Sequence, residues 1–236
     1  MESSMFKATG VNVSYGKSRV INDLSLEIRQ GSRTAILGRN GVGKTTFLKS
    51  AMGILPMSTG TLFFDGQDIT KLKTYKRALS GLGYVPQGRE IIPLMTVEEN
   101  LELGAMGHKN IDIASKKEWV LGYFPALKVH MNRNGGVLSG GLQQQLAIAR
   151  CLMGEPKMIL LDEPTEGIQP NVVMEIADTL KKIAQETGIT IAVVEQNLKF
   201  ARRLAEEFVI IQKGAVVAAG SMDELTDDII KKYLSV

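Results

Sequence analysis

The chain has 236 residues, 44% hydrophobic and 22% charged, which suits a globular fold with a sizeable core and excludes a disordered composition. Its 28 basic and 25 acidic side chains leave a net charge of +3, too little to point to nucleic acid or a membrane surface by charge alone. A single cysteine, Cys151, excludes an internal disulfide and a cysteine-based zinc site and favours a reducing compartment.

The first forty residues and the stretch 60–69 alternate in short strand-like pieces, which predicts a small antiparallel sheet beside a main one. Residues 34–37 read as a buried strand, followed by a glycine-rich turn and a helix through Phe47, Leu48 and Met52. From about 93 to 156 the pattern is mainly helical. Thr96 and Glu99 are spaced as a capping box, and Ser139-Gly140-Gly141 precedes a helix over 142–153. Residues 158–161 and 189–194 are apolar runs of the kind covered on both faces of a sheet. Between them, 171–187 carries Val172, Val173, Ile176, Leu180 and Ile183 at helical spacing, with Gly188 placed to end the helix in a left-handed conformation. A second capping pair, Ser221 and Glu224, precedes a closing helix. The alternation predicts an α/β fold with a mostly parallel sheet and a strand–helix–strand crossover. No apolar run approaches the length needed to span a bilayer, and the start of the chain does not resemble a secretion signal.

Gly38-Arg39-Asn40-Gly41-Val42-Gly43-Lys44-Thr45 matches the phosphate-loop pattern and lies after a buried strand and before a helix. Its glycines free successive backbone N–H groups to turn inward as an anion nest, and the helix N-terminus adds a positive dipole. Lys44 suits the β- and γ-phosphates of a nucleotide, and the Thr45 hydroxyl suits Mg²⁺. A second apolar strand ends in Asp162-Glu163-Pro164. It delivers two carboxylates to the crevice where α/β sheets bind ligands, one suited to Mg²⁺ and one to activating a water.

Leu138-Ser139-Gly140-Gly141 at a helix start, Gln87 after Tyr84-Val85-Pro86, and Asp162-Glu163 together resemble the ATP-binding subunits of ABC transporters, over essentially the whole chain. The resemblance implies a single nucleotide-binding domain: a core lobe over about 1–92 and 157–236, with a helical lobe over about 93–156. It implies ATP and Mg²⁺ as cofactors, Tyr15 stacking on adenine, and Gly38, Asn40 to Thr45 and Thr46 around the phosphates. Taken on its residues alone, Tyr15 could simply be a core aromatic of the small sheet; its place in the family pattern favours stacking on adenine. The resemblance further gives Thr45, Asp162 and Gln87 to the metal, Glu163 to the attacking water, and Ser139, Gly140 and Gly141 to the nucleotide of a facing molecule. Implied partners are a second ATPase subunit, two transmembrane permeases and a solute-binding protein, with no nucleic acid, at the cytoplasmic face of the membrane.

Gln87-Gly88-Arg89-Glu90-Ile91, Glu166-Gly167-Ile168-Gln169-Pro170 and Glu195-Gln196-Asn197 resemble importer subunits for branched-chain amino acids, amides and urea, most of all the urea type. Two positions depart from the wider family. Gln196 stands where a switch histidine is usual; it can donate a hydrogen bond but cannot be protonated near neutral pH. Leu142 stands where the signature commonly has glutamine, though Gln143, Gln144 and Gln145 follow. A non-transport relative in DNA repair or translation would usually carry a coiled-coil insertion or a tandem copy. A kinase or GTPase would leave Ser139-Gly140-Gly141 unexplained. His108 and His130 lack companion ligands, and Cys151 reads as a small core residue.

Overall fold

The computed structural model describes residues 3–108 and 111–234. In chain order the elements are β1 (Ser4–Tyr15), β2 (Ser18–Arg29), β3 (Arg33–Leu37), α1 (Lys44–Ala51), β4 (Thr59–Phe64), β5 (Gln67–Asp68) and α2 (Thr74–Leu79). Then come β6 (Leu82–Val85), α3 (Val97–Ala105), α4 (Ile113–Tyr123), α5 (Pro125–Lys128), α6 (Gly140–Met153) and β7 (Met158–Asp162). The chain continues with α7 (Pro170–Thr187), β8 (Thr190–Glu195), α8 (Leu198–Leu204), β9 (Glu207–Gln212), β10 (Ala215–Ser221) and α9 (Asp227–Tyr233).

Two sheets organise them. An antiparallel sheet runs β2-β1-β4-β5, and a larger sheet runs β10-β9-β3-β8-β7-β6. In the larger sheet β9, β3, β8, β7 and β6 are mutually parallel, and β10 adds antiparallel to β9 at the edge. β3, β7 and β8 are apolar almost throughout because both faces are covered. Alternate residues of β3 feed different cores. Ala35 and Leu37 pack with the helices of 97–153 and with α7 and α8, while Ile36 packs with α1 and the antiparallel sheet. The α/β expectation, the small antiparallel sheet, the helical stretch and the left-handed Gly188 (φ 72°) are all as read from the sequence.

Two details differ from the sequence reading. The signature helix begins at Gly140 rather than 142, because the Ser139 side chain caps it directly. The Ser221–Glu224 box caps one turn of 3₁₀ helix, and α9 has its own cap in Thr226. Of the glutamines after Leu142, Gln144 is buried, Gln143 Oε1 accepts from Arg89, and Gln145, though largely buried, lines the same cavity as Ser139, Gly140 and Gly141. Leu142 itself packs against the core.

Candidate active site

The loop between β3 and α1 carries the phosphate-loop residues. Gly43 sits at φ 107°, and a Cβ there would lie 2.6 Å from Ile21 Cδ1, so both its backbone conformation and its surroundings require glycine. Lys44 opens α1 and is 3% exposed. Its Nζ donates to the carbonyls of Gly38 (2.9 Å) and Arg39 (3.0 Å), wrapping the side chain back across its own loop. The same ammonium lies 3.3 Å from Glu163 Oε1. Thr46 is buried two positions further along α1.

Asp162, the last residue of β7, is buried; one carboxylate oxygen accepts from Thr45 Oγ1 (2.9 Å) and the other from Tyr84 Oη (3.0 Å). Burial raises its pKa above the ordinary range, and these two donors oppose the shift. A buried carboxylate beside a hydroxyl is a hard-oxygen pair that fits Mg²⁺, which fills most of its shell with water and phosphate oxygens. Among the described residues no cluster of three His, Cys, Asp or Glu could hold a metal alone, so these two donors suit a nucleotide-borne ion.

Glu163 follows at φ 45°, a left-handed conformation that turns the chain sharply after the strand; its N–H donates to the Val194 carbonyl. Its carboxylate collects three groups predicted from distant stretches of the chain. Gln196 Nε2 donates to Oε1 (3.1 Å) and also to Asn40 Oδ1, while Gln87 Nε2 approaches Oε2 at 3.5 Å. Gln87 Nε2 makes its shorter contact, 3.0 Å, with Glu166 Oε2.

Two parts of the predicted set stand apart. Tyr15 ends β1 with 51% of its surface exposed, which rules out a buried core role. Ser139, Gly140 and Gly141 form the start of α6, and with Gly167, Gln169 and Val172 they line a cavity of about 370 Å³. The Ser139 hydroxyl accepts weakly from Leu142 N–H (3.4 Å) and keeps its own proton to donate. No residue of that cavity lines the one beside the phosphate loop.

Sequence reasoning missed three participants. Tyr84 and Glu166 were legible only as parts of motifs. Glu195 too was quoted only within a motif and given no role, although its place directly before Gln196 is a signal. His108, by contrast, merely lines a groove, and His130 Nδ1 is buried with no hydrogen-bond partner.

A strand, a glycine loop and a lysine-headed helix, with a carboxylate pair at the end of β7, two strands along the same parallel sheet, define an ATP-hydrolysing protein of the phosphate-loop class. Residues 21–166 match the ABC transporter family model. The chain is 34% identical over 207 residues to the high-affinity branched-chain amino acid transport ATP-binding protein BraG of Pseudomonas aeruginosa, covering 88% of each chain. It is 33% identical over 223 residues to the probable branched-chain amino acid transport ATP-binding protein LivF of Archaeoglobus fulgidus, covering 94% of each. Among solved structures, the dimeric post-hydrolysis state of the cassette MJ0796 bound to ADP and Pi superposes with a TM-score of 0.84 at 27% identity, over 92% of this chain and 99% of that one. The chain belongs to the ABC transporter family, as one of its ATPase domains.

Proposed function

We propose that the chain is the ATP-hydrolysing subunit of an importer for a small polar solute, working at the cytoplasmic face of a membrane beneath separate permease subunits. Among the described residues no helix is long and apolar enough to cross a bilayer, so passage of the solute falls to partners. Those partners are two permeases, a solute-binding protein and a second ATPase subunit. Residues 1–92 and 157–236 act as the core lobe and 93–156 as the signature lobe.

The observation that carries the reading is the convergence of Lys44, Gln196 and Gln87 on the Glu163 carboxylate. In the working state the loop amides of Gly38 and of Asn40 to Thr45 bind the β- and γ-phosphates, and Lys44 leaves Glu163 to meet them. Tyr15 stacks on adenine. Thr45, Asp162 and Gln87 would hold Mg²⁺, which when bound would neutralise phosphate charge. Glu163, freed of Lys44, takes the proton of the attacking water, and Gln196 fixes the carboxylate and the γ-phosphate relative to one another. Ser139, Gly140 and Gly141 grip the nucleotide of a facing molecule through hydroxyl, amides and helix dipole. ATP thereby favours a closed pair that hydrolysis loosens.

The cargo we assign is urea or a short-chain amide, on the run Glu166-Gly167-Ile168-Gln169-Pro170 and on Gln87. The names of the two relatives favour a second reading, a branched-chain amino acid. Uptake of labelled urea, acetamide and leucine by a strain deleted for this chain separates the two. Copurification of the tagged chain with a polytopic membrane protein supports the importer, whereas recovery on ribosomes or DNA overturns it.

A further inference from the structure

Glu195 ends β8, directly before Gln196, and is 2% exposed. One carboxylate oxygen accepts the N–H of Thr165 (3.1 Å), in the loop that follows Glu163. The other accepts the N–H groups of Gln196 (2.9 Å) and Asn197 (3.0 Å), in the turn that carries Gln196. These three donors are main-chain groups, and the Thr165 side chain also favours the charged carboxylate, so the carboxylate fixes two loops rather than pairing with a cation. Burial raises its pKa, and the three amides together with the Thr165 side chain oppose that shift.

A neutral capping residue could satisfy the turn alone, as Asn197 does for Phe200 N–H in the next helix. Reaching Thr165 as well takes a longer side chain with two accepting oxygens. The loop so tethered begins at Glu163, and the turn so tethered delivers Gln196 Nε2 to Glu163 Oε1 at 3.1 Å.

We infer that Glu195 is a positioning residue for ATP hydrolysis: its carboxylate staples the loop after Glu163 to the turn bearing Gln196 and so holds that amide on the Glu163 carboxylate. This rests on the reading that Glu163 and Gln196 handle the attacking water.

The test is a cycle of four full-length proteins: the parent, Glu195→Gln, Gln196→Ala and the double variant. Each is assayed for steady-state hydrolysis of MgATP, for binding of a fluorescent ATP analogue and for thermal midpoint. Glu195→Gln keeps the shape but loses one acceptor and is expected to lower kcat about tenfold with KM and nucleotide affinity within about twofold. In the Gln196→Ala background the same change should lower kcat less than about twofold, because the group it positions is gone. Equal losses in both backgrounds, or an unchanged kcat for Glu195→Gln, overturn the inference and leave the reading of Gln196 intact. An unchanged kcat for Gln196→Ala overturns that reading and the inference with it. Should Glu195→Gln fail to fold, Glu195→Asp keeps the charge and the turn contacts but cannot span to Thr165. It is then expected to show about a threefold loss that again vanishes in the Gln196→Ala background.

Discussion

Replacing Glu163 by glutamine should tighten ATP binding while abolishing turnover, and the size of the gain follows from the contact it removes. Lys44 Nζ and Glu163 Oε1 stand 3.3 Å apart, with side chains 3% and 14% exposed. At an effective dielectric near 20, opposite charges at that separation attract by about 5 kcal/mol, most of it offset by the desolvation already imposed on both. A net contact of about 1.5 kcal/mol remains to be broken before Lys44 can turn to a triphosphate. Glutamine keeps an acceptor for Gln196 but releases the ammonium, so the dissociation constant for ATP should fall about tenfold. Titration of a fluorescent ATP analogue into dilute protein measures this, with AMP as the control that lacks the outer phosphates. Single-turnover hydrolysis should fall by at least about a hundredfold. Unchanged ATP affinity, or an equal gain for AMP, would refute the view that Glu163 competes with the nucleotide for Lys44.

Gly141→Ala would set a methyl group 2.7 Å from Val172 Cγ1, between α6 and α7; stability should drop about 1–3 kcal/mol in urea unfolding, with recovery in Gly141→Ala combined with Val172→Ala. Burial pushes the Cys151 thiol up to about 12 from 9.0, so at pH 8 the native protein should react with iodoacetamide at least about a thousandfold more slowly than in guanidinium. The raised value also means that its favourable contribution to folding is complete below pH 9 and is lost as pH climbs through about 12, a decline that Cys151→Ala should lack. Tyr84→Phe removes the 3.0 Å donation to Asp162 and should lower stability by about 1–2 kcal/mol. The Asp162 pKa is already raised by burial, so ionising it in the folded state is unfavourable and that penalty grows as pH rises above 3.8. The variant should therefore fall further below the parent in thermal midpoint at pH 7.5 than at pH 4.5.

What could be read in advance was whatever is written contiguously. The phosphate loop, Asp162-Glu163 and Ser139-Gly140-Gly141 are strings whose chemistry is local, and β3, β7 and β8 announce themselves by unbroken apolar runs. β10 did not, because Ala215–Ser221 is partly covered along most of its length and shows no alternation. The Ser221 box named a helix start correctly in kind, but the chain leaves helical geometry at Leu225, so only one turn follows. Glu195 was illegible because its partners lie both beside it and thirty residues upstream, and only the parallel pairing of β7 with β8 brings them together. Gln87 shows the same limit: its identity was plain, yet its shorter contact is with Glu166, a neighbour that only the fold supplies.

The stretch around Gln87 has a mechanical meaning. Arg89, at φ 72°, sends its guanidinium to Gln143 Oε1 on α6 (3.2 Å) and to the Glu166 carbonyl (3.1 Å), two residues from where Gln87 holds the Glu166 carboxylate. One short segment thus grasps the helical bundle with one hand and the reaction centre with the other. Hydrogen bonds weaken steeply as they are misaligned, so a tilt of the bundle would load both of these contacts together, and the one segment that carries them would feel it first.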